Sequence, residues 1–164
     1  MNEIFHRTSI RKYEDKPVED SKVEKLLRAG MAAPSAVNQQ PWEFYVIRDR
    51  KTIDRLGSMA PNVSPLKGAP LCLVLVYRND CRLPEFAQID MSICMENIWL
   101  ETDSLGLGGV MMGIAPHEDR MEAVKKALDI PDNLSVFCLF AAGYPAETKE
   151  QENRFDPSRI HYIG

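Results

Sequence analysis

Leu71-Cys72-Leu73-Val74-Leu75-Val76-Tyr77 is an unbroken apolar run rich in strand-forming residues. A strand with one face in water alternates apolar and polar residues, whereas a run without polar gaps needs cover on both faces. The run therefore predicts a central strand, and with it a sheet packed between helices. Ala69 to Tyr77 is also the longest apolar stretch of the chain. That is far too short to cross a bilayer.

The other elements fall around this strand. Asn2 can cap a short first helix. Ser21 and Glu24 have capping-box spacing, and Val23, Leu26, Leu27 and Met31 share one helical face before Pro34. Glu43 to Arg48 reads as a strand and Asp49 to Met59 as a helix with Ile53 and Leu56 inward. Phe86 to Leu105 reads as a long helix whose apolar residues Ile89, Ile93, Ile98, Trp99 and Leu105 spread around its circumference. Such a helix is the spine of a core or half of a subunit interface. Val110 to Ile114 and Val136 to Ala142 read as strands, with a helix over Glu118 to Leu128 between them. The tail from Tyr144 is polar, so it is either frayed or laid across a partner. The pattern gives one sheet covered by helices and leaves the strand order open.

At 164 residues, the expectation is one domain over residues 1–164 with a substantial core. A net charge of −4 argues against nucleic acid as a main ligand. Cys72, Cys81, Cys94 and Cys138 lack the close paired spacing of zinc or redox motifs, and no metal site is expected. Reduced, mostly buried thiols and a start, Met1-Asn2-Glu3, without a basic then apolar leader point to a cytoplasmic protein without a membrane partner.

Two polar stretches carry the chemistry. In His6-Arg7-Thr8-Ser9-Ile10-Arg11-Lys12-Tyr13, cations and hydroxyls crowd a short run in an acidic chain. Arg7, Ser9 and Arg11 alternate, which puts them on one face of an extended segment. Guanidinium and hydroxyl groups suit phosphate oxygens; a solvated edge strand is the plain alternative. In Ala33-Pro34-Ser35-Ala36-Val37-Asn38-Gln39-Gln40-Pro41-Trp42, carboxamides suit the donors and acceptors of a heterocycle's edge. A ligand-free helix-to-strand connection explains the same residues, and Trp42 reads as core.

Leu105-Gly106-Leu107-Gly108-Gly109-Val110-Met111-Met112-Gly113 is not a dinucleotide fingerprint. Its glycines follow a helix and lead into a strand, the reverse of that motif. The run permits close backbone approach to a flat ligand, or serves as a helix cap and tight turn. His6, His117 and His161 stand in no nucleophile or metal motif, and Asp90 reads as a buried cap for a neighbouring loop.

Four segments in register resemble the nitroreductase family of FMN-dependent oxidoreductases: Arg7-x-Ser9-x-Arg11-x-Tyr13, Pro34-Ser35-Ala36-x-Asn38-x-Gln40-Pro41-Trp42, Leu105-Gly106-Leu107-Gly108 with Met112-Gly113, and Ala142-Gly143-Tyr144-Pro145. The resemblance implies an α+β fold with a central, mainly antiparallel sheet covered by helices. It also implies an intertwined homodimer holding FMN at the interface, with the 144–164 tail on the partner subunit. Arg7, Ser9 and Arg154 would hold the phosphate and ribityl chain, with Arg11 near the pyrimidine side of the ring. Thr8 belongs to the same set but stands where many relatives carry a second arginine. Pro34, Ser35 and Ala36 would come from the opposite subunit, Asn38 would also contact the cofactor, Asn62 would touch the pyrimidine edge, and the backbone at Met112 and Gly113 would face N5. Lys149 lies at a doubtful distance from Arg154 for the family's basic pair.

No side chain stands out as a catalytic acid, so an acceptor's proton is expected from solvent. By the same resemblance, NADH or NADPH would reduce FMN, and a nitroaromatic, quinone or similar small acceptor would follow in ping-pong order. Flavin reduction, reductive dehalogenation, a non-catalytic flavin-binding or sensory role and a flavin-free protein are the alternatives.

Overall fold

The computed structural model describes residues 2–164; Met1, the first residue of the expected 1–164 unit, lies outside them. Four strands form one sheet: β1 (Trp42–Ile47), β2 (Leu71–Arg78), β3 (Gly108–Gly113) and β4 (Leu134–Gly143). Their order is β1-β2-β4-β3, and every neighbouring pair is antiparallel. Four helices cover the sheet: α1 (Asp20–Met31), α2 (Arg50–Gly57), α3 (Ala87–Ser104) and α4 (Glu118–Ala127). The fold is thus α+β with an antiparallel sheet between helical layers. No helix among the described residues is long and apolar enough to cross a membrane.

The apolar run is buried from Leu71 to Tyr77 because its two faces feed two cores. Leu71, Leu73, Leu75 and Tyr77 pack toward α1 and α3, with Leu26, Met91, Met95 and Ile98. Cys72, Val74 and Val76 pack toward α2 and α4, with Ile53, Leu56 and Val124. The expected strand boundaries all hold to within two residues.

Several local expectations fail. The capping box at Ser21 and Glu24 does not form: α1 starts at Asp20 after Glu19, with no side-chain cap. Asn2 likewise makes no side-chain cap for the 3₁₀ turn Glu3–Phe5. Met31 is 53% exposed, because the buried face of α1 ends at Gly30. A Cβ there would lie 2.9 Å from Ile98, so the close α1–α3 crossing needs glycine. Pro61–Gly68 is a 3₁₀ helix that the sequence reading passed over, and it buries Val63 and Leu66. By contrast Asp49 caps α2 as its position suggests, accepting a hydrogen bond from the Thr52 N–H at 2.8 Å.

α3 is buried along one side and carries apolar residues at the surface on another. Met91, Cys94, Met95 and Ile98 form a spine of the core. Phe86, at its N-terminal boundary, and Ile89 and Ile93 follow one another at helical spacing on the outside and are 42%, 55% and 37% exposed.

Candidate functional site

The N-terminal segment reaches the sheet through β3. Ser9 bridges Gly109 in parallel, and the Ile10 N–H donates to the Gly109 carbonyl at 3.0 Å. Ile10 is buried against Gly108, where a Cβ would lie 2.7 Å from the Ile10 side chain. With Ile10 pinned, its polar neighbours are left at the surface.

Arg7, Thr8, Ser9 and Arg11 line one cavity of about 440 Å³. Its other walls are Trp99 from α3 and the tail residues Lys149, Glu150, Gln151, Glu152 and Arg154. The tail is held there by the segment it faces. The Glu147 carboxylate accepts from the Arg11 and Lys12 N–H groups at 2.6 and 3.2 Å. Lys149 Nζ donates to the Ser9 carbonyl at 3.1 Å, and Gln151 Nε2 donates to the carbonyls of Ile4 and Arg7. The first third of the tail therefore lies along its own N-terminal segment. Phe155, Ile160, Tyr162 and Ile163, further on, are exposed.

Lys149 is the residue that spacing alone undervalued. It sits five positions before Arg154, yet the extended tail brings both cations to one wall. The hydrogen bonds that Glu147 accepts and Gln151 donates, which direct the tail, are long-range in sequence and leave no local signal.

Two titratable groups here are shifted. The Arg11 N–H above all holds the Glu147 carboxyl below the ordinary carboxylate range. Burial pushes the Tyr13 phenol up, and its O–H donates to the Ile10 carbonyl at 2.6 Å. Tyr13 is therefore a structural donor at neutral pH and no source of a proton for chemistry.

The second polar stretch is shaped by one buried carboxylate. Asp90, 2% exposed, accepts from the Ala36 N–H at 2.9 Å and from Gln39 Nε2 at 2.6 Å. Gln39 in turn pairs with both the N–H and the carbonyl of Leu83. The expected capping role of Asp90 is what the structure shows. Val37, Asn38 and Gln40 have φ of 46°, 55° and 46°. A β-branched residue in that region is strained, and such strain persists where surrounding contacts over-determine the backbone. Pro34, Ser35, Ala36 and Asn38 stand on this fixed loop, and none of them lines the cavity.

The glycine run divides between the two uses the sequence left open and a third, packing. Gly106, with φ of 69°, ends α3 as a turn residue. Gly108 and Gly109 serve packing rather than ligand approach, since a Cβ at 109 would meet Phe140 at 2.4 Å. Gly113 differs: a Cβ there would find nothing closer than 3.9 Å, so its face is open. The Met112 side chain is buried in the core, which leaves only its backbone for a ligand, and Met111 is the outward one. Asn62 donates from Nδ2 to the Gly113 carbonyl at 3.3 Å, bringing the two expected ring contacts together.

The sequence model of the Nitroreductase family matches residues 4–62 and 57–144. A curated relative from Methanothermobacter thermautotrophicus, named "Putative NADH dehydrogenase/NAD(P)H nitroreductase", is 38% identical over 98% of this chain and 85% of its own. A solved structure from Clostridium acetobutylicum, "Putative NADH Oxidase", superposes with a TM-score of 0.94 at 43% identity, covering 97% of both chains. The FMN-dependent nitroreductase from Clostridium difficile R20291 gives a TM-score of 0.91 at 28% identity, over 99% of this chain and 98% of that one. With four motifs in register and a family match across most of its length, this chain belongs to the nitroreductase family.

Proposed function

We propose that this protein is an FMN-dependent oxidoreductase that takes electrons from NADH or NADPH and passes them to a nitroaromatic, quinone or similar electron-poor acceptor. The observation that carries the reading is the convergence of Arg7, Arg11, Lys149 and Arg154 with the hydroxyls of Thr8 and Ser9 on one cavity of a net acidic chain. Four cations line the cavity with the carboxylates Glu150 and Glu152, while Glu96 and Glu147 pair with Arg7 and Lys149. Such a cationic cluster suits an anionic phosphate, and arginine suits it in two-point geometry. The open face at Gly113 suits the close approach of a flat ring. On both counts these residues fit FMN.

In this reading Arg7, Ser9 and Arg154 hold the phosphate and ribityl chain, with Thr8 and Lys149 beside them. Arg11 supplies positive charge toward the ring. Asn62 and the backbone at Met112 and Gly113 stand at the ring's edge. Bound FMN supplies the two-electron chemistry, while the chain supplies position and electrostatics. Donor and acceptor use the same cleft in turn, which is a ping-pong order. No side chain acts as the acid, and Tyr13 is withdrawn by its bond to Ile10.

The site is completed by a second copy of the chain. Pro34, Ser35, Ala36 and Asn38 form a rigid loop away from the cavity, and α3 presents the apolar stripe Phe86, Ile89 and Ile93 to the outside. Exposed Phe155, Tyr162 and Ile163 of the tail give that copy further apolar surface. Buried, unpaired Cys72, Cys94 and Cys138 support a cytoplasmic setting.

An absorbance spectrum of the purified protein, followed by anaerobic titration with each nicotinamide, tests this function. The expected result is a flavin band that NADH or NADPH bleaches and an electron-poor acceptor restores. A flavin band that neither nicotinamide bleaches would leave a flavin-binding protein without this activity.

A further inference from the structure

We infer that Trp99 is a positioning residue for Arg7, setting the guanidinium that reads the phosphate of the flavin nucleotide; the inference rests on the proposed FMN site. The Arg7 guanidinium carbon lies 4.2 Å from the centre of the Trp99 ring, over its face. Arg7 Nε is also 3.5 Å from the Glu96 carboxylate, one helical turn before Trp99 on α3. The indole is itself fixed at two points. Its Nε1–H donates to the Gly109 carbonyl at 3.1 Å, the same oxygen that accepts the Ile10 N–H. Its ring meets Phe140 edge-on, with centroids 5.9 Å apart. Phe140 occupies the space that a side chain at position 109 would need, so β3, β4 and α3 interlock beneath Arg7.

An arginine side chain on a mobile surface segment samples many rotamers. Here a rigid aromatic face limits that freedom in a residue that lines the cavity. Trp99 thus acts on the ligand through Arg7. Its contribution belongs to the phosphate and not to the ring system.

Paired affinities of the full-length apoprotein for FMN and for riboflavin, which lacks the phosphate, separate this role from a structural one. Flavin fluorescence quenching gives both dissociation constants. Trp99→Leu and Trp99→Met fill the space without a π face, and each is expected to lower the FMN-to-riboflavin affinity ratio roughly 3- to 10-fold. Riboflavin affinity itself should hold. Trp99→Phe, which keeps a face, should retain most of the ratio. Arg7→Ala is the control and should lower the ratio roughly 10- to 100-fold through loss of charged hydrogen bonds. If Arg7→Ala collapses the ratio while the Leu and Met variants leave it unchanged, Trp99 does not position Arg7. If Arg7→Ala leaves the ratio unchanged, the phosphate site itself is wrong and the inference goes with it. Parallel loss of both affinities in the Trp99 variants, with a lower melting temperature, assigns a purely structural role and overturns the inference.

Discussion

Two polar stretches, one cationic and one rich in carboxamides, end in opposite conditions. Residues 7–11 meet their partners within the chain: the tail, Trp99 and β3 close around them as one cavity. Residues 34–40 are equally fixed, by Asp90 and the Leu83–Gln39 pair, but line no part of the cavity that residues 7–11 share. Rigidity without a local ligand is the informative difference. A loop with three positive-φ residues, one of them valine, is held in shape at a cost of order 1–3 kcal/mol per strained residue. Such a loop is explained if it presents Ser35, Ala36 and Asn38 to something outside its own subunit.

The largest effect comes from breaking the loop end. Asp90→Ala leaves the Ala36 N–H and the Gln39 amide without their acceptor, which costs roughly 2–3 kcal/mol for buried partners of a charged group. For a chain of this size the melting temperature should fall by roughly 4–12 °C, read by calorimetry. Because the phosphate end is untouched, FMN and riboflavin should weaken together. A selective loss of FMN would erase the distinction between the two regions.

At the cavity end the selectivity reverses. Arg154→Ala should weaken FMN roughly 10-fold and riboflavin little, as expected for one charged contact to phosphate, by the same quenching titration. Equal loss for both flavins would move Arg154 away from the phosphate.

Acidification should loosen the cavity end first. Hydrogen bonds from the Arg11 and Lys12 N–H groups lower the folded value of Glu147, with the Arg11 bond dominant. Its stabilising contribution is therefore present above the ordinary carboxylate range and lost as pH falls through the lowered value. Amide hydrogen exchange at Arg11 and Lys12 should accelerate over that window, and Glu147→Gln should flatten the dependence. An unchanged pH profile in the variant would show that another group holds the tail.

The smallest effect is a thiol reporter on the loop end. Burial pushes Cys72 and Cys94 up to about 12 and Cys138 well above the ordinary thiol range, whereas Cys81 is partly exposed. A disulfide reagent should modify Cys81 alone in the folded protein and all four cysteines after denaturation. Since Cys81 lies two residues from Leu83, Asp90→Ala should speed that single reaction. Three or four fast thiols in the native protein would contradict the packing around β2.

The sheet was legible because its signal is local: β2 and β4 are apolar runs that admit one placement, between two layers. Helix positions followed from periodicity, and the helix ends did not. Ser21 and Glu24 satisfied a spacing rule that the backbone did not use, since α1 begins one residue earlier. Met31 satisfied the apolar face, but the close crossing at Gly30 left it outside. At the site, Arg7, Ser9 and Arg11 were readable from alternation and Asp90 from its apolar surroundings. Lys149 was placed at a doubtful distance and Trp99 only among the apolar residues of the long helix, because what brings them to Arg7 is the fold of the tail and the passage of α3 over Gly109. The packing role of Gly108 and Gly109 was not legible for a related reason: what fills the space of a missing Cβ, Ile10 or Phe140, is invisible in one dimension.

Sedimentation velocity of the FMN-loaded protein, followed in the flavin's visible absorption band, tests the central claim most directly. The account predicts one flavin-carrying boundary with the mass of two 18.6 kDa chains. A flavin boundary moving as a single chain, or a dimer boundary that carries no colour, would contradict it.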